Sequence, residues 1–162
     1  MSLCAVCPKE WVTVSNGIDQ RFESYERGKR VIEKFDCQWF MEFYDNQDDV
    51  AFHEFEQTPK ISSYLYAVCS GPYTKFEDYD PFYMPQRIFI RKSLVANLKH
   101  ELIFGISKTT IDFYQKNFGQ RYPFSKIDHV MCPDYKYGAM ENVGCITYSD
   151  DIMCSSADMS IP

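Results

Sequence analysis

The groups in this chain best suited to chemistry are its histidines, cysteines and loop carboxylates, and spacing decides among them. His53, His100 and His129 are the only histidines. His53-Glu54 begins like the H-E-x-x-H pattern of metal-binding helices, but the residue four on is Gln57. The run around it is strand-like, where positions i and i+4 do not converge as they do on a helix. Cys4 and Cys7 form a C-x-x-C, yet structural zinc needs four ligands and no second pair follows. Ser62, Ser63 and the cysteines lack a motif that pairs them with a histidine, and no glycine-rich phosphate loop is present. The run Gly138-Ala139-Met140-Glu141-Asn142 stands out instead. Gly138 and Ala139 are small enough for a peptide backbone to approach closely. Met140 is a flexible thioether, suited either to core packing or to lining a variable pocket. Glu141, read by composition, is an exposed loop carboxylate. Asn142 suits bracing of the loop by side-chain-to-backbone hydrogen bonds.

The elements that must position this run change character along the chain. The first half reads as strands and turns: Glu10 to Val14 closed by Ser15-Asn16-Gly17, Val31 to Phe35, Gln38 to Tyr44, Val50 to Phe55, and Ile61 to Val68 ended by Ser70-Gly71-Pro72. The acidic stretch Asp45 to Asp49 reads as a solvated loop, and Gln86 to Arg91 as a further strand. From Ser93 the residues Leu94, Leu98, Leu102 and Ile106 recur every four positions, with Phe113 continuing the same face. This spacing predicts one helix, with Ser93 as N-cap, Gly119 as its stop and a possible kink at Gly105. Ile127 to Cys132 and Gly144 to Tyr148 read as strands and Ser155 to Pro162 as frayed. The expectation is an α+β chain. A mostly antiparallel β-region spans 1–92, and a helix followed by strands, opening an α/β-type unit, spans 93–162.

Composition bounds the partners. The chain has 162 residues, 45% hydrophobic and 25% charged, as in ordinary globular domains. Aromatic residues reach 17%, in keeping with a β-rich core. A net charge of -6 with no basic cluster argues against nucleic acid as a partner. No stretch approaches the roughly 20 apolar residues of a membrane span, and the start lacks the pattern of a signal peptide. Seven cysteines at irregular spacing predict a reducing, cytoplasmic setting rather than a disulfide framework.

Gly138 to Asn142, continued by Val143-Gly144-Cys145-Ile146-Thr147-Tyr148, resembles the exopeptidase signature of the gluzincin zinc aminopeptidases, the family of aminopeptidase N and leukotriene hydrolase. Three further matches occur in order. Trp11 with Ser15-Asn16-Gly17 resembles the W-x-x-x-S-N turn of the family's N-terminal β-domain. Phe55 to Leu65 resembles its F-x-x-T-P-x-M-S-x-Y-L, and Tyr122 to Asp128 its Y-P-x-x-K-x-D. The resemblance implies a saddle-like β-domain portion over 1–92 and the start of a thermolysin-like catalytic domain over 93–162. It also implies that Glu141 anchors the ammonium of a peptide N-terminus through charge-assisted hydrogen bonds. Gly138 and Ala139 would pair with the substrate as an edge strand, and Met140 would line its first side-chain pocket. Zinc belongs to the full-length parent. The H-E-x-x-H helix is absent from this sequence, so no bound metal, no catalytic residue and no turnover are expected of the chain alone. The competing reading is a truncated, non-catalytic module that binds peptides or self-associates through its exposed strand.

Overall fold

The computed structural model describes residues 2–34 and 49–153. The expected strand Gln38 to Tyr44, most of the acidic loop and the tail from Ser155 lie outside these residues. The chain forms two compact units divided between Pro72 and Tyr73.

In the first unit, β1 (Leu3–Pro8), β4 (Val50–Phe55) and β3 (Asp19–Phe22) make an antiparallel sheet with β4 in the centre. The helix α1 (Tyr25–Lys34) stands where a strand over Val31 to Phe35 was expected. Its signal is local: the Ser24 hydroxyl accepts the Arg27 N–H, and the Ser24 carbonyl accepts the Gly28 N–H at 2.9 Å. A two-stranded ribbon pairs β2 (Val12–Ser15) with β5 (Val68–Gly71). The strand expected over Ile61 to Val68 is a 3-10 turn at Ser63–Leu65 followed by β5. Asn16 accounts for the difference. Its amide donates to the Leu65 carbonyl at 2.9 Å and accepts from the Ala67 N–H at 3.0 Å, taking backbone groups that a strand would pair. The S-N turn and the S-x-Y-L segment, read separately in the sequence, thus meet.

The second unit holds a five-stranded sheet ordered β6 (Tyr73–Asp78), β7 (Gln86–Arg91), β8 (Ile127–Cys132), β10 (Cys145–Ser149) and β9 (Ala139–Met140). Pairing is parallel from β7 to β8 and from β8 to β10, and antiparallel at both edges. A parallel β7–β8 pair requires a crossover, supplied by α2 (His100–Phe118). Because β7 pairs with β8, the unit begins at Tyr73 rather than at the change of pattern near Lys92.

The expected helix start at Ser93 is instead a 3-10 turn over Lys92–Asn97, broken by extended backbone at Leu98. Gly119 ends α2 in the left-handed conformation, as the sequence predicts. The predicted stripe is shifted. Leu94 and Leu98 reach the core from the turn, but Leu102, Ile106 and Phe113 are exposed by 37%, 46% and 60%. The buried face is Ile103, Phe104 and Ile111, and the first two pack against Ile88, Ile90 and Met131. Restarting the helix at His100 rotates the phase of everything after it. A groove of about 740 Å³ runs between α2 and the sheet, lined by Ile111, Tyr114, Phe118, Tyr122, Ile146 and Tyr148 among others.

Candidate functional site

The loop that carries Glu141 joins the edge strand β9 to β10. Met140 pairs with Thr147 and Ala139 with Tyr148, and the Ser149 N–H donates to the Gly138 carbonyl at 3.0 Å. Gly138, Ala139 and Glu141 are exposed, and Met140 is half-buried. Asn142 is buried and turns back onto the hairpin: its Nδ2 donates to Thr147 Oγ1 at 3.1 Å, and Thr147 donates to the Tyr135 hydroxyl at 3.2 Å. The brace runs to a side-chain hydroxyl, where backbone partners were expected. The Asn142 carbonyl accepts the Cys145 N–H at 3.0 Å, closing the turn. Gly144 sits at φ 67°, a conformation that other residues adopt only with strain.

Three residues of the Tyr122 to Asp128 segment converge on Gly144. Lys126 Nζ and the Asp128 N–H both donate to its carbonyl, at 2.6 Å and 3.0 Å, and the Tyr122 phenol hydrogen-bonds with its backbone. Lys126 also binds Asp128 Oδ2 at 2.6 Å, and Arg87 holds both Asp128 oxygens at 2.7 Å and 2.6 Å. Asp128 is fully buried and Lys126 nearly so. Burial pushes the Lys126 ammonium down from its ordinary range, while Asp128 opposes that shift. The loop therefore rests on a buried ionic brace. Its sequence signal was the spacing of Lys126 and Asp128, which strand periodicity puts on one face. Arg87 and Tyr135 gave no signal, because their partners are distant in sequence.

The three histidines go to three separate places. His53 bonds Cys7 and Asp19, and His100 stacks on Phe76 at 4.3 Å between ring centres. His129 faces the Tyr148 hydroxyl at 3.1 Å and Gln86 at 3.4 Å. Burial pushes the His129 imidazole down to about 4 and the Tyr148 phenol up to about 12. Among the described residues, no three His, Cys, Asp or Glu side chains are arranged to hold a metal ion. The residues described do not fit a zinc site.

Residues 103–161 match the Peptidase family M1 domain. Similar proteins include Aminopeptidase N of Streptomyces lividans, 38% identical over 106 residues that cover 64% of this chain and 12% of that protein. Aminopeptidase N of Oryctolagus cuniculus is 31% identical over 100 residues, covering 62% of this chain and 10% of that protein. Aminopeptidase 2, mitochondrial, of Saccharomyces cerevisiae is 35% identical over 95 residues, covering 58% and 10%. Over the part it shares with these proteins, the chain is similar to the peptidase M1 aminopeptidases, and these similarities support membership of that family. It spans only about a tenth of the length of these relatives.

Proposed function

We propose that this chain is part of a zinc-dependent aminopeptidase and supplies the surface that holds a peptide's free amino terminus. The observation that carries the reading is the position of Glu141. It is an exposed carboxylate directly after an exposed edge strand, on a loop whose other residues are tied down. A peptide adding as a strand along β9 would meet Glu141 at the end of the hydrogen-bonded edge. A carboxylate there favours a terminal ammonium and disfavours internal peptide segments, which carry no charge at that position. The reading of a β-domain portion followed by the opening of a thermolysin-like catalytic domain, with the division moved from Lys92 to Pro72–Tyr73, belongs to the same proposal. The exposed Ile106, Phe113, Tyr114 and Phe118 support it, since a lone domain rarely leaves so many large apolar groups on one helix facing water.

The test is calorimetric titration of the chain with a free-amine peptide and with its N-acetylated form. A charge-assisted hydrogen bond contributes roughly 1.5–3 kcal/mol, so the free amine should bind about 10- to 100-fold more tightly. Glu141→Gln should erase the difference. Equal binding of the two peptides by the unmodified chain would overturn the assignment. Peptidase turnover is expected to be absent, and zinc-dependent release of an aminoacyl fluorophore, lost in Glu141→Ala, would contradict that.

A further inference from the structure

A second constellation lies in the first unit, on the sheet face opposite the Phe22–Phe52 ring stack, and no role has been assigned to it. Register explains its assembly. Cys7 pairs with Ala51, His53 lies two residues further along β4, and Arg21, its partner on β3, is two residues from Asp19. Directly paired residues and those two apart share a face, so Cys7, His53 and Asp19 fall in one diagonal line. The side chains meet along it. Cys7 Sγ is 3.3 Å from His53 Nε2, and His53 Nδ1 is 3.0 Å from Asp19 Oδ2.

The chemistry of the groups fixes the direction of the relay. An ionised Asp19 can only accept, so Nδ1 carries the imidazole proton and Nε2 is left as the acceptor for the thiol. The other Asp19 oxygen is buried without a hydrogen-bond partner, which leaves the imidazole as this carboxylate's main contact. The Thr13 hydroxyl donates to Cys7 Sγ at 3.3 Å and is itself held 2.9 Å from Ser70 Oγ. Arg21, the cation opposite His53 in register, is engaged elsewhere, with the Lys9 carbonyl at 2.7 Å and Glu23 at 3.0 Å. Cys7 itself is 5% exposed. Burial to that degree excludes a peptide, so the reactant considered is a molecule of a few atoms.

We propose that Cys7 is a site of covalent oxidation by hydrogen peroxide, activated by the His53–Asp19 pair. The Sγ proton passes to His53 Nε2, and the sulfur attacks one peroxide oxygen. The O–O bond breaks, and the departing hydroxide takes the proton from His53 and leaves as water. The thiol is oxidised to a sulfenic acid and the peroxide is reduced, with no further reactant required.

The test treats the whole chain with limiting hydrogen peroxide, traps sulfenic acid with dimedone, and quantifies each cysteine by mass spectrometry. Cys7 should label at least tenfold faster than Cys69 and Cys132, both more exposed. His53→Asn should abolish that advantage. Asp19→Asn keeps the side chain's shape and should slow Cys7 labelling severalfold, with circular dichroism unchanged, which guards against a His53 variant that fails to fold. Asp19→Glu, which restores a carboxylate, should recover Cys7 labelling lost in Asp19→Asn, a rescue that packing alone would not give. Labelling of Cys7 no faster than Cys69 and Cys132, or unchanged in Asp19→Asn, would overturn the proposal.

Discussion

Asp128 faces two cations, Arg87 and Lys126, with no exposure to water of its own. Removing the carboxylate strands both positive charges, one of them buried, and breaking a buried ionic group from one side typically costs about 3–5 kcal/mol. Asp128→Ala should therefore lose stability on that scale in urea unfolding, against a few tenths for an exposed carboxylate such as Glu101. A loss below about 1 kcal/mol would show that the brace contributes little. At this scale the sequence was partly readable. Lys126 and Asp128 appear as a spaced pair, whereas Arg87 joins them only through the pairing of β7 with β8, which no local pattern specifies. Cys7, His53 and Asp19 were opaque for the same reason: their line is drawn by register, and register belongs to the sheet.

Two glycines separate packing from propensity within helices. On α1, a Cβ at Gly28 would come within 2.4 Å of the Phe52 ring, which is almost fully buried and stacks on Phe22 at 5.7 Å between centres. Gly28→Ala gains about 1 kcal/mol of helix propensity but overpacks the contact, which costs about 1–3 kcal/mol. The net result should be destabilisation, read as a lower melting temperature. On α2, a Cβ at Gly105 meets nothing within 4 Å. Gly105→Ala should stabilise the chain by about 0.5–1 kcal/mol, and a loss would reveal a constraint on that helix from elsewhere. The helix α2 runs unbroken through Gly105, from His100 to Phe118. The strands β4, β7, β8 and β10 were legible from alternation and branched residues. The phase of α2 was not, because Leu94 and Leu98 continued the four-residue spacing across a break in the helix.

For the whole molecule, acid stability turns on His129. Its folded imidazole titrates near 4, pushed down chiefly by burial, against an ordinary value of 6.5. Between those values the unfolded chain binds a proton that the folded chain does not, so stability falls as pH drops from 6.5 toward 4. At about 1.4 kcal/mol per pH unit, the full window amounts to about 3 kcal/mol. His129→Leu should show a smaller loss between pH 7 and pH 4.5 than the unmodified chain, by about 2–3 kcal/mol; equal losses would remove His129 from the acid response. The sequence changes character near Lys92, whereas the compact units divide between Pro72 and Tyr73, because β7 reads like the strands before it until β8 pairs with it.

The return of Asn142 onto Thr147 makes the span between Met140 and Thr147 a ruler. Substitutions within it alter contacts one at a time. A single inserted or deleted residue would instead shift β9 by one step against β10 and send Ala139 and Met140 to opposite faces. Variation at this hairpin is therefore predicted to be permissive in residue type at Val143 and intolerant in length, a pattern that deep sequencing of an insertion–deletion library would display directly.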